Sequence, residues 1–274
     1  MQSSRPFTDA GMAAMAWPTA SGLPPRAVVL GAAGICVVLT AALSMLELGR
    51  GGFLASLGRL FEYVGNIIAT PDWEYAPTVA SKMLETVEMA FLGTALAVVM
   101  SLPLGLLAAR NSAPHPAVSH TIRAIMTTIR SLPELMWALF FVTAVGLGPL
   151  PGVAAIALVS IGYLGKFLAE AIEAVPDAAV EGVVVHGANR MQVRFYALMP
   201  QAWPDFIAVT FYVFEHNVRA ATVLGIVGAG GIGYDMTMAM RLFRYDRLAL
   251  ILLAIYLAVT ILDRLSDRIR ARVI

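Results

Sequence analysis

Long uncharged runs of membrane length dominate the chain, separated by short polar or Gly/Pro-rich stretches. The first run, residues 27–46, follows Pro24, Pro25 and Arg26 and holds the ~20 apolar residues that cross a hydrocarbon core. It is too long and too far from the start for a cleaved signal segment. Over 51–68, Leu54, Leu57, Phe61, Val64 and Ile68 recur at steps of three and four, with Arg59, Glu62 and Asn66 between them. That spacing predicts an amphipathic helix at the membrane surface. Pro71, Asp72, Trp73, Glu74 and Tyr75 lead to a second span, 89–109, which Lys82, Glu85 and Glu88 extend beyond the lipid. After the turn-rich loop 110–120, a third span covers 122–145. No charge occurs between Leu135 and Gly165, too long a stretch for one crossing, and GLGPLPG at 146–152 splits it by a tight reversal. The fourth, fifth and sixth spans are expected at 153–174, 207–227 and 248–265.

Composition agrees with this pattern. Of 274 residues, 59% are hydrophobic and only 14% charged, against about 25% charged in a soluble domain. The fold class is therefore an all-α polytopic membrane protein with about six transmembrane helices. A net charge of +1 leaves no basic field for nucleic acid. The single cysteine, Cys36, sits in an apolar run as a packing residue and permits no internal disulfide. Arg26, Arg110, Arg123, Arg190, Arg194, Arg264, Arg268, Arg270 and Arg272 cluster on one side of the six spans, which places both termini in the cytoplasm. Arg50, Arg59, Arg241, Arg244 and Arg247 fall on the other side and weaken that bias. Three regions follow: 1–26 as a cytoplasmic segment, 27–80 with the first span and the amphipathic helix, and 81–274 as the core.

The one long mixed-polarity interlude is 176–203. Asp177 is placed to cap a first short helix, Gly187 to turn the chain, and Asn189 with Gln192 to open a second helix through a capping box, ending before Pro200. Glu181, Gly187 and Pro200 also fit the spacing E-A-A, three residues, G, nine residues, I-x-L-P. Gly182, Val183, Ala197 and Met199 replace its apolar letters.

Ionisable residues inside spans are costly and so become candidates for function. Arg130 and Glu134 flank Pro133 in the third span; Lys166, Glu170 and Glu173 share one face of the fourth; Glu215 and Arg219 bracket His216 and Asn217 in the fifth. Each has a possible partner on its own helix. Arg130, Lys166 and Arg219 would favour an anion, with neighbouring carboxylates preventing tight trapping. Gly228, Gly230 and Gly233 match the letters of a dinucleotide fingerprint, but a membrane helix precedes them instead of a strand. Gly225, Gly228, Gly230, Gly231 and Gly233 are better taken as a bend near the end of the fifth span, placed to gate. No phosphate loop occurs, and the only lysines are Lys82 and Lys166. ATP chemistry would have to come from a partner. No zinc-binding spacing or nucleophile elbow is present, and His115, His120, His186 and His216 are not spaced as metal ligands.

The interlude resembles the coupling loop of ABC importer permeases. From about residue 84 onward the chain resembles the phosphonate importer permease (PhnE) family, through RSLPELMWALFFVTAVGLGPLPGV from Arg130, GYLGKFLAEAIEAV from Gly162, the interlude itself, and FEHNVRAATVLGIVGAGGIGYDMTMAMRLFRYD from Phe214. The resemblance implies a type I importer permease of MetI-like fold in the bacterial inner membrane, paired with a second copy of itself. It also implies two cytoplasmic ATPases that bind ATP and Mg, and an extracytoplasmic phosphonate- or phosphate-binding protein. No cofactor is expected in this chain. Glu181, Gly187, Ala188, Arg190, Arg194 and Pro200 would couple to the ATPase. Arg130, Glu134, Lys166, Glu215, Asn217, Arg219, Gly228, Gly230 and Gly231 would line the pathway or its gate. The competing classes are an ion-gradient-driven anion transporter or channel and an intramembrane enzyme built on Ser131 or His216. The first needs no coupling loop, and the second lacks a base and an orienting group.

Overall fold

The computed structural model of the protein describes residues 25–45, 57–59, 61, 62, 65 and 71–273, and every regular element among them is helical. Two units divide between Val64 and Gly65. The first contains α1 (Pro25–Met45), a 21-residue helix over the expected first span. The amphipathic helix expected over 51–68 lies for the most part outside the described residues. In the second unit a 3₁₀ turn (Trp73–Tyr75) precedes α2 (Ala76–Ala108), α3 (Pro116–Arg130), α4 (Glu134–Val145) and α5 (Pro149–Glu173). The interlude forms α6 (Asp177–Val184) and α7 (Arg190–Val193), followed by α8 (Met199–Leu224), α9 (Ile232–Arg241) and α10 (Tyr245–Val273).

The centre of the second unit is the contact between α2 and α5, which run parallel with a constant offset of 63 residues: Gly93 lies on Ile156, Gly105 on Leu168, and the Arg110 N–H donates to Glu173 Oε1 at 2.7 Å. The offset follows from a stripe of small side chains on α2, namely Ala90, Gly93, Thr94, Ala97, Ser101, Gly105 and Ala108, all buried. Small residues let helix backbones approach where lipid removes the hydrophobic drive for association. A Cβ on Gly93 would stand 2.6 Å from Ile156 Cγ2, so no larger residue fits. α8 runs antiparallel against both helices. Its Asn217 donates from Nδ2 to Thr94 Oγ1 (2.8 Å) and to Ser160 Oγ (2.8 Å). This node divides two apolar clusters: Ala90, Ile156, Val218 and Leu224 lie on one side, and Ala97, Leu164, Leu168 and Val213 on the other.

Breaks in the helices account for most departures from the sequence pattern. The third span is two helices, α3 and α4, bent by 85°. Pro133 has no N–H for the Ile129 carbonyl, and the Trp137 indole takes that acceptor at 3.0 Å. The reversal after α4 occurs as expected, at Gly146 (φ 104°) and Gly148 (φ 137°), and α5 starts at Pro149. At the other break a five-residue π-helical segment, Arg194–Leu198, joins α7 to α8 without a stop. The helix therefore does not end before Pro200. That proline sits in the first turn of α8, where a missing N–H costs little. α9 lies in a stretch for which the apolar pattern predicts no helix.

Trp73–Ala108, Pro149–Glu173 and Tyr245–Ala271 are each long and apolar enough to cross a membrane, and the two bent pairs supply two further candidates. Their outward faces are greasy: Phe91, Leu92, Leu96 and Val99 on α2 and Leu253, Tyr256, Leu257 and Ile261 on α10 are exposed. In water such a surface would be a liability; in lipid it is the expected exterior.

Candidate functional site

Polar residues concentrate at the two ends of the second unit and along one seam between them. At the polar-loop end, Asp177 is inside the first turn of α6 and makes no side-chain cap, because Pro176 takes the capping position. The capping box on α7 forms as expected: Gln192 N–H donates to Asn189 Oδ1 (2.9 Å) and Asn189 N–H to Gln192 Oε1 (2.8 Å). Gly187 turns the chain at φ +79°, a conformation that a β-carbon disfavours. Glu181 and Arg190 point to solvent, and Ala188 lines two surface cavities.

Arg194 has a different environment from its neighbours. Its Nε and Nη2 both donate to the Ser112 carbonyl, the first at 3.1 Å. It therefore straps the π-helical segment to the loop between α2 and α3. A cavity of about 530 Å³ opens beside this strap, lined among others by Asn111, Pro114, Val184 and Arg190. The sequence pattern missed the apolar part of this end. Val185 is 83% exposed and Tyr196 74%, with Val184, Met191 and Phe195 also exposed. Their signal was the presence of bare apolar side chains inside a polar interlude.

At the opposite end, the glycine bend follows α8 through a 3₁₀ turn, Gly225–Val227. Gly228, Gly230 and Gly231 all adopt positive φ, between 70° and 84°. Three hydrogen bonds hold the bend. Gly148 N–H donates to Gly228 O (3.0 Å), Gly231 N–H to Glu85 Oε1 (3.0 Å) and Ile232 N–H to Thr86 Oγ1 (2.8 Å). Lys82 in turn grips Glu85 at 2.7 Å. A cavity of about 270 Å³ lies here between Lys82, Leu147, Pro149 and Tyr234. The dinucleotide letters thus belong to a helix-to-helix bend whose Gly231 amide is already taken by a carboxylate. Beyond it, Asp72 meets Arg247 (3.3 Å) and Arg244 (3.6 Å), which ties the start of α2 to the start of α10. The hydrogen bond that Arg244 donates to the Asp246 carboxylate holds its guanidinium above its ordinary pKa.

The charges expected to pair along single helices pair mainly between helices. Glu134 meets His216 of α8 at 3.1 Å, not Arg130, since the Pro133 break turns α4 away from α3. Glu173 meets Arg123 of α3 at 2.5 Å, while Lys166 keeps Glu170 at 3.5 Å. Glu215 is buried against Arg270 (2.9 Å), and Arg219 is committed to Asp263 (2.7 Å) with Glu215 at 3.9 Å. Arg130 lies 4.4 Å over the Tyr163 ring, and its Nε is buried without a hydrogen bond. Asn217 is buried in the three-helix node. No cluster of three or more metal-ligating side chains occurs among the described residues.

Residues 101–274 match the sequence family described as binding-protein-dependent transport system inner membrane component. The chain belongs to that family. It is a transport permease subunit of the inner membrane and not an enzyme; ATP hydrolysis resides in a partner chain. The phosphite transport system permease protein PtxC of Stutzerimonas stutzeri is 46% identical over 200 residues, 73% of each chain. The phosphate-import permease protein PhnE of Mycolicibacterium smegmatis is 40% identical over 190 residues, 69% of this chain and 36% of that protein. A chain of the MetNI methionine ABC transporter, solved in inward facing conformations, shares the fold: TM-score 0.62 at 22% identity, over 72% of this chain and 96% of that one. The expected MetI-like helical architecture is therefore present, and the ion-gradient carrier and the intramembrane enzyme give way to the permease.

Proposed function

We propose that this permease imports small phosphorus oxyanions (phosphite, phosphate or phosphonate) as one of two copies, driven by two ATPase chains that bind ATP and Mg and supplied by an external binding protein. The observation that carries the cargo class is the 46% identity to a phosphite permease across 73% of the chain. In this reading α6 and α7 are the ATPase dock. Exposed Glu181 and Arg190 give it polar contacts, and Val184, Val185, Met191, Phe195 and Tyr196 give it apolar area. Arg194 acts from behind the dock, since its strap to Ser112 would hand a push on α7 to the loop between α2 and α3. The polar-loop end then faces the cytoplasm, with both termini on that side, and the glycine end faces the binding protein.

Alternating access needs an element that yields at the outer end. The bend at Gly228, Gly230 and Gly231 fits, held in this state by Glu85 and Thr86 of α2 and by Gly148 before α5. The test is ATP turnover by the complex reconstituted with its ATPase and binding protein. Binding protein loaded with phosphite, phosphate or methylphosphonate should raise turnover several-fold over the unloaded form. Stimulation by none of the three, with stimulation by an unrelated cargo, would discard the cargo class.

A further inference from the structure

Three basic side chains line one groove where α3 packs on α5. Arg123, Thr127 and Arg130 follow at i, i+4 and i+7 and so share a face of α3, about 10 Å from end to end. Opposite them on α5 stand Tyr163 and Lys166. The floor is glycine: the α3 side chains rest directly on Gly162, where a Cβ would lie 2.8 Å from Arg130 Cγ, and on Gly165, where it would lie 2.6 Å from Met126 Sδ. Within the seam is a cavity of about 130 Å³ lined by Arg123, Met126, Thr127 and Lys166. That is room for about four waters, the scale of a tetrahedral oxyanion.

Charge in the seam is unbalanced. Arg123 is held to Glu173 at 2.5 Å and to the Ala108 carbonyl at 2.8 Å, and Lys166 faces Glu170 at 3.5 Å. Among the described residues no carboxylate lies within 4 Å of Arg130. Three cations therefore meet two carboxylates, and one positive charge is left over, with Lys166 only loosely engaged. Arg219, by contrast, sits among Glu215 and Asp263 and has no charge to offer. An excess cation between apolar helices is costly unless water or an anion reaches it.

We infer that the α3–α5 seam is a transient oxyanion site on the polar-loop half of the permease, with Lys166 and Arg123 as charge partners, Thr127 as hydroxyl donor and Arg130 as the entry cation. The site rests on the cargo class proposed above. Glu170 and Glu173 compete with the visitor for the same cations, so it is held briefly and released, as multi-step conduction requires. The Pro133 break turns α4 by 85° from α3 at the Arg130 end of the groove.

The experiment is equilibrium binding of labelled phosphate to the assembled transporter in nanodiscs without binding protein, followed by ATP-driven uptake of the same label. Lys166→Gln should weaken binding at least ten-fold and lower the maximal uptake rate while leaving half-saturation unchanged, because the binding protein sets that quantity. Thr127→Val should weaken binding by a few-fold, and Lys166→Arg should restore it. Yield and thermal midpoint report whether each variant folds. Wild-type binding and uptake by both Lys166→Gln and Thr127→Val, in a permease that imports phosphate, would overturn the seam and leave the cargo class standing. ATP-driven import of an uncharged cargo by the wild type, with no phosphate uptake, would remove the cargo class itself. If Lys166→Gln instead lost a copurifying phospholipid and still bound phosphate, the seam would belong to a lipid headgroup and the inference would fall.

Discussion

Asn217 gives the permease a polar waist. Its carboxamide reaches Thr94 and Ser160 from a position only 2% exposed, and replacing it by Leu would strand the Ser160 hydroxyl between apolar clusters, while Thr94 keeps its bond to the Ala90 carbonyl. Stranding a buried polar partner costs about 1–3 kcal/mol. Asn217→Leu should therefore lower the thermal midpoint in detergent, and an unchanged midpoint would remove the node from the account. Arg194 is the second telling residue. Arg194→Ala should leave ATPase copurification intact and reduce uptake by an order of magnitude, because the strap to Ser112 is lost and not the dock; loss of copurification would make it a dock residue after all. Legibility at this scale varied with the range of the interaction. The Asn189 and Gln192 capping box could be read because it closes within four residues. Arg123 could be read only as a topology charge, since its partners Glu173 and Ala108 lie 50 and 15 residues away.

Among the elements, the apolar runs placed α2, α5, α8 and α10, but not where helices break. Pro133 marked its break openly, yet nothing local announced that Trp137 would take the Ile129 carbonyl and stabilise an 85° bend. Trp137→Phe keeps the ring stacking and deletes that hydrogen bond. It should cost about 0.5–1.5 kcal/mol, seen as a lower thermal midpoint. The π-helical segment was illegible for a related reason: Pro200 reads as a stop, and one wide turn of five residues ahead of it allows the chain to run on. The stripe on α2 was present in the sequence as Ala90, Gly93, Ala97, Ser101 and Gly105, but its partner could not be chosen from among the other helices. Once α5 is the partner, Gly93→Leu should force α2 and α5 apart at Ile156. Overpacking of this kind costs about 1–3 kcal/mol, and folded yield in membranes should fall. A normal yield would mean that the 63-residue register is soft.

At the scale of the whole molecule, the proposed function joins the two polar ends of the second unit and the seam between them. In that reading the bare apolar patch and Glu181 on the polar-loop end would meet the ATPase with Arg194 behind them, the glycine bend would gate the other end, and the α3–α5 seam lies between. Glu181→Lys should insert and fold normally, since that side chain points to solvent, and should lower ATP-dependent uptake sharply through weaker ATPase docking. Wild-type docking and uptake in that variant would move the coupling role to the apolar patch alone. The most direct test of the central claim is uptake of labelled phosphite, phosphate and an alkylphosphonate into vesicles carrying the permease with its ATPase and binding protein. ATP should be supplied on the ATPase side or withheld. At least one of the three should accumulate, and only when ATP is present. Accumulation that proceeds equally without ATP would contradict the claim.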